Sequence, residues 1–224
     1  TQDSRGWGYP EAEPDLSNTQ FAATALRAAA AHGVSIPAKV WTRLVDSTLD
    51  CLVPESGSPP SNDPPRGFLY RAGHDHATGS MTAAGVAIPS ICADHMHKTK
   101  PAHSRGIKRG LAWLGEHFTV DYNPAPTTEN GSSGPQYYFL YGIERVGSLN
   151  QIEKLGSYPW YQLGAEKLVA LQKPDGSWEG QSDTAFALLF LSRATGSTGP
   201  ASGGNTANSL WTFGSDNPEQ PVSI

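Results

Sequence analysis

The chain has 224 residues, long enough for one large domain or two small ones with a sizeable core. Its 16 Lys+Arg against 21 Asp+Glu leave a net charge of −5, so no basic surface favours nucleic acid. Its longest apolar run, the seven residues Ala185 to Leu191, is too short to span a membrane, and two cysteines exclude a disulfide scaffold.

The chain begins at Thr1, not Met, as a processed product or an excised piece does. The compartment stays open, and export after loss of a leader fits. Gly6-Trp7-Gly8-Tyr9 is the first of four loops that carry aromatics. Each loop precedes a segment of one kind, beginning at Thr19, Thr82, Gln136 and Thr184, spaced 63, 54 and 48 residues. That spacing admits a helix pair plus loops, which predicts a helical repeat.

In chain order, the first helix covers Phe21 to Ala31. Asp15 or Ser17 is its N-cap and Gly33 its stop. Pro37 opens an amphipathic helix over 37–53, with Val40, Trp41, Leu44, Val45 and Leu49 on one face. The stretch from Pro54 to Pro65 reads as an exposed loop. Met81 to Ile91 forms a second helix, apolar on all sides, with a kink expected at Pro89. An amphipathic helix over 104–117 follows. Tyr137 to Ile143 is again apolar all round, segment 160–172 is amphipathic, and Ala185 to Leu191 is apolar all round.

A helix apolar on every side has to be covered on every side. Alternation of the two kinds predicts an all-α fold. It is an α/α toroid, or a partial, arc-shaped α/α barrel, with apolar inner and amphipathic outer helices. The domain runs over 5–194. Residues 195–224, rich in Gly, Ser and Asn, read as a flexible tail in which Leu210, Trp211 and Phe213 are able to dock back.

Gln172-Lys173-Pro174-Asp175-Gly176-Ser177-Trp178 resembles one half of the QW motif of squalene and oxidosqualene cyclases, and Arg109-Gly110-Leu111-Ala112-Trp113-Leu114 the other half. Gly6-Trp7-Gly8-Tyr9-Pro10, followed by Asp15 to Gln20, resembles the prenyltransferase/squalene-oxidase repeat proteins of bacteria. The resemblance implies the toroid of the terpenoid cyclase and protein prenyltransferase superfamily. It also implies a cavity where the inner helices begin, holding an apolar, isoprenoid-like ligand. The motif itself reads as a clamp, with Gln172 on the start of the next inner helix and Trp178 packed over it.

Asp183-Thr184-Ala185 resembles the end of the acid motif of class II terpene cyclases, but Ser182 stands where the proton-donating Asp would be. Helix capping is the plainer role for Asp183. The zinc motif of protein prenyltransferases, an Asp two residues before a Cys, does not occur. Cys92 and His95, with Asp94 and His97 nearby, match no strong metal template, so neither a metal nor a cofactor is expected.

Gly73-His74-Asp75-His76 offers two imidazoles and a carboxylate at the cavity mouth. The candidate catalytic set is Asp183, Asp15, His76 and Tyr137. The candidate ligand-binding set is Asn18, His74, Tyr138, Trp7, Tyr70 and Trp178, although such aromatics more often fill a core. Two further functions compete with an isoprenoid-handling protein. One is a non-catalytic repeat module that binds a protein partner. The other is a glycan-processing toroid enzyme using His74, His76 and Tyr137 or Tyr138.

Overall fold

The computed structural model describes residues 2–3, 6–10, 12–54, 63–74, 76–96, 100–125 and 135–197. A short antiparallel pair, β1 (Gln2–Asp3) and β2 (Gly6–Trp7), precedes the helices. Then follow α1 (Leu16–Ala31), α2 (Ala38–Leu49), α3 (Gly79–Ala93), α4 (Pro101–Glu116), α5 (Gln136–Asn150), α6 (Trp160–Leu171), α7 (Gln181–Leu191) and α8 (Ala194–Ser197). The described chain is mostly helical, as the alternation predicts.

Local chemistry sets the helix ends. The Asp15 carboxylate accepts the Asn18 N–H at 2.8 Å and caps α1. Gly33 follows the helix with φ +86°, a conformation that costs glycine little. Pro37 sits at the N-cap of α2, which buries Trp41, Leu44, Val45 and Thr48 along one stripe. Helix α3 continues through Pro89 and buries every residue except Ser90 and Ala93. Neither Ser182 nor Asp183 caps α7; the N-cap is Gly180, and Asp183 lies in the first turn.

Helix α3 is the centre of the packing. It touches α1, α2, α4 and α5, and α5 touches α6, α7 and α8 in turn. The helices that are apolar in sequence thus form the row α1–α3–α5–α7, with α2, α4 and α6 packed beside it. The row runs in one direction. Near the start of α3, a Cβ added at Gly79 would lie 2.7 Å from the Phe139 ring of α5. Near their ends, Ser90 Oγ donates to Asn150 Oδ1 at 3.1 Å. At the starts of α1 and α5, the Ser17 and Tyr138 hydroxyls meet at 2.9 Å.

Two recurring bonds hold these starts together. The N–H of Leu16 donates to Tyr70 O at 2.9 Å, and that of Gly79 to Pro124 O at 2.7 Å. Each helix is thereby tied to the loop of the next repeat. The fourth residue of α1, α3 and α7 is a threonine whose hydroxyl accepts from the aromatic loop ahead of it. The pairs are Trp7 N–H to Thr19 (3.1 Å), Phe68 N–H to Thr82 (3.0 Å) and Trp178 N–H to Thr184 (3.0 Å). The fourth residue of α5 is Phe139, fully buried, and the Gln136 amide reaches Val120 O instead. The third repeat therefore aligns at Phe139, not at Gln136.

The clamp also differs from expectation. Trp178 is buried, and its indole N–H donates to Leu168 O of α6 at 2.8 Å. Gln172 closes its own loop by donating to Gly176 O at 2.9 Å and does not reach α7. Thr195, placed at the head of the tail, is buried in α8 and donates its hydroxyl to Glu144 Oε2 at 2.6 Å. Leu210, Trp211 and Phe213 lie outside the described residues, as does most of the Pro54 to Pro65 loop.

Candidate functional site

A cavity of about 330 Å³ opens where α1, α3 and α5 begin. Ser17 and Tyr138 form its floor, Tyr70, His74 and His76 one wall, and Thr78, Ser80, Met81, Asn123 and Pro135 the other. The parallel row places it there. Three helix starts meet at one level, and the loops that tie them supply the rim.

The loop wall is built on hydrogen bonds. Asn123 Oδ1 accepts from the Ser80 N–H at 2.8 Å, and its Nδ2 donates to Ser80 Oγ at 3.0 Å. The Tyr70 hydroxyl lies near the Asp15 carboxylate, and burial together with that charge pushes the phenol up to about 12. His74 is exposed, with its ring 5.5 Å from that of Tyr70. His76 is half-buried. Asp15 is 4% exposed and accepts from both the Asn18 N–H and the Asn18 amide. Its oxygens are committed to structure, and it does not line the cavity.

The floor has a fixed polarity. A guanidinium only donates, so Arg145 Nη2 requires the oxygen end of the Gln20 amide. The nitrogen end then faces Tyr138 and donates to its hydroxyl oxygen. The Tyr138 proton is left for Ser17 Oγ or for a guest in the cavity. Burial pushes the Tyr138 phenol up, against Ser17 and Arg145, which pull it down. The floor thus offers a neutral O–H donor.

Behind the floor lies a cation–aromatic cluster. The Arg145 guanidinium sits 4.5 Å from the Tyr141 ring and 5.6 Å from the Phe21 ring. Tyr138 and Tyr141 in turn pack against Phe186 of α7. Burial opposes the charge on Arg145.

The predicted set therefore divides. Asp15, Asn18, Tyr70, His74, His76 and Tyr138 converge on the mouth, four of them lining the cavity. Tyr137 does not; it is buried beside Glu179 and Asp183, and burial first, then those carboxylates, raise its phenol. Asp183 lies with it, away from the cavity. Trp7 ties the first loop to Thr19, and Trp178 is core, so neither touches the cavity. Asp75 lies outside the described residues.

Cys92 is fully buried, with its thiol pushed up to about 12 by burial, and His95 stacks on Trp41 at 4.3 Å. Among the described residues no three His, Cys, Asp or Glu side chains come together as a metal site. No described helix is long and apolar enough to cross a membrane.

Sequence reasoning missed Gln20, Arg145 and Asn123. Arg145 carried a signal, since Glu144-Arg145 is a charged pair inside a helix that is otherwise apolar. Gln20 and Asn123 carried none, because their importance depends on partners far away in sequence. Comparison with protein-family models, curated proteins and solved structures gives no match for the chain.

Proposed function

We propose that the chain is a binding module on an open arc of the α/α toroid type. It takes a compact, mostly apolar ligand with an acceptor oxygen into the mouth cavity. The parallel row of helices with its flanking layer supports the arc, and so does the resemblance to the prenyltransferase and terpene-cyclase repeats. A cavity of about 330 Å³ is near the lower end of the usual ligand range, which favours a short guest. A short isoprenoid alcohol has that chemistry.

The observation that carries the reading is the Tyr138 hydroxyl, turned by Arg145 through Gln20 into a donor at the cavity floor. Met81, Pro135 and the Tyr70 ring supply apolar surface. The described lining combines hydroxyl, amide and imidazole groups with apolar surface, which suits hydrogen bonding to a neutral guest.

Geraniol and menthol serve as probes, with calorimetry as the readout. Tyr138→Phe should weaken binding about tenfold, the worth of one hydrogen bond to a neutral donor. Gln20→Glu should do the same, because a carboxylate accepts the Tyr138 proton. Absence of binding for both alcohols, or equal affinity in Tyr138→Phe, refutes the reading.

A second reading has its own support. Phe21 on α1 and Leu188 on α7 are exposed, and a protein partner would find apolar surface at either.

A further inference from the structure

A second cavity, of about 220 Å³, lies on the other side of the Asp15–Tyr70 pair, between the start of α1, the end of α2 and the turn at Arg71. Its lining carries three carboxylates, Glu13, Asp15 and Asp50, and one guanidinium, Arg71. Arg71 and Asp50 both line it, yet no ion pair joins them, and no hydrogen bond to the Asp50 carboxylate or the Arg71 guanidinium is made by any described residue. Arg71 Nε has no access to solvent and no partner. The guanidinium lies over the Tyr70 ring, 5.4 Å from its centroid. The other polar groups are occupied, the Glu13 carboxylate among them. Asp15 is bonded by Asn18, Thr19 by Trp7, and Ser47 donates to Leu44 O at 3.2 Å. Pro14, Leu16 and Ala72 add apolar lining.

A guanidinium matches a carboxylate in geometry. A free carboxylate on the same cavity matches an ammonium. One guest that satisfies both carries the two charges on a short apolar body. We propose that this cavity binds a small zwitterion, of which a free amino acid is the simplest kind, with its carboxylate on Arg71 and its ammonium on Asp50. The cavity volume limits the guest to a few carbons beyond the charged groups.

The proposal is independent of the mouth cavity, because neither Arg71 nor Asp50 lines that site. Calorimetry with L-valine, β-alanine and glycine betaine tests three spacings and head-group sizes. Isovalerate and isobutylamine, the two halves of valine, are the single-charge controls. At least one zwitterion should bind, and about tenfold or more tighter than either control. Arg71→Gln and Asp50→Asn should each weaken that binding about tenfold while leaving the melting temperature without ligand close to wild type, and Arg71→Lys should restore part of it. Geraniol binding at the mouth should be unaffected. Silence from all three zwitterions overturns the proposal. So does an isovalerate affinity equal to that of valine and unmoved by Asp50→Asn, which would mark a plain anion site.

Discussion

Helices α3 and α7 are both apolar on every side in sequence, and the fold treats them differently. Helix α3 buries all but two of its residues, whereas α7 buries only Ala187 and Phe190 and leaves Leu188 55% exposed. The cause is position in the row. Helix α3 has α1 on one flank and α5 on the other, with α2 and α4 behind. Helix α7 has α5 on one flank, with α6 and the short α8 beside it. An all-round apolar pattern thus marks membership of the row, but not how much of the helix is covered.

The largest expected effect tests whether α7 is anchored despite its open flank. Trp178 ties the loop before α7 to α6 and Thr184 while being 2% exposed. Trp178→Ala should cost about 3–5 kcal/mol, read from denaturant unfolding. A loss below about 1 kcal/mol would show that α7 is loosely held, and would widen the contrast with α3. At the centre of the row, a Cβ on Gly85 would lie 2.2 Å from the Phe68 ring, itself fully buried. Gly85→Val should cost about 1–3 kcal/mol or more by overpacking, by the same measurement. Tolerance of valine there would mean that the centre is as adaptable as the edge.

Much of the row was legible in the residues. Two periods, one-sided and all-sided, placed the seven long helices, because burial on one face or on all faces leaves a direct mark on side-chain choice. Asp15, His74, His76 and Tyr138 were legible as a mouth cluster, because a repeat in one direction brings helix starts together. Tyr137 was misassigned for a simple reason. Neighbouring residues on a helix point about 100° apart, and only the packing shows which of two adjacent tyrosines faces the cavity. The floor polarity was not legible at all, since Gln20 and Arg145 are joined across 125 residues.

A subtler test concerns what closes the row. Burial raises the Glu144 carboxyl above its ordinary 4.5, against the hydrogen bonds from Thr195 and Ser148 that pull it down. The folded state therefore holds that proton more tightly than the unfolded state. The resulting stability is fully present below about 4.5 and is lost as pH rises through the raised folded value. Glu144→Gln should remove this slope, so that urea midpoints measured across the window fall less with rising pH than in wild type. Parallel curves would mean that Glu144 titrates like a solvated residue and that α8 does not seal the site.

The smallest effect is expected on the open flank of α7. Ala185, Leu188 and Ser192 follow helical spacing and are all exposed, so Leu188 has little packing to lose. In an isolated chain, Leu188→Ser should change stability by no more than about 0.5 kcal/mol. The measurement gains force when repeated at several protein concentrations. A bare flank gives the same small value throughout. A flank covered by a second copy gives a larger loss that grows with concentration, because association stabilises only the folded wild type. In that case α7 would be as fully enclosed as α3 in solution, and its apolar pattern would have the same physical cause.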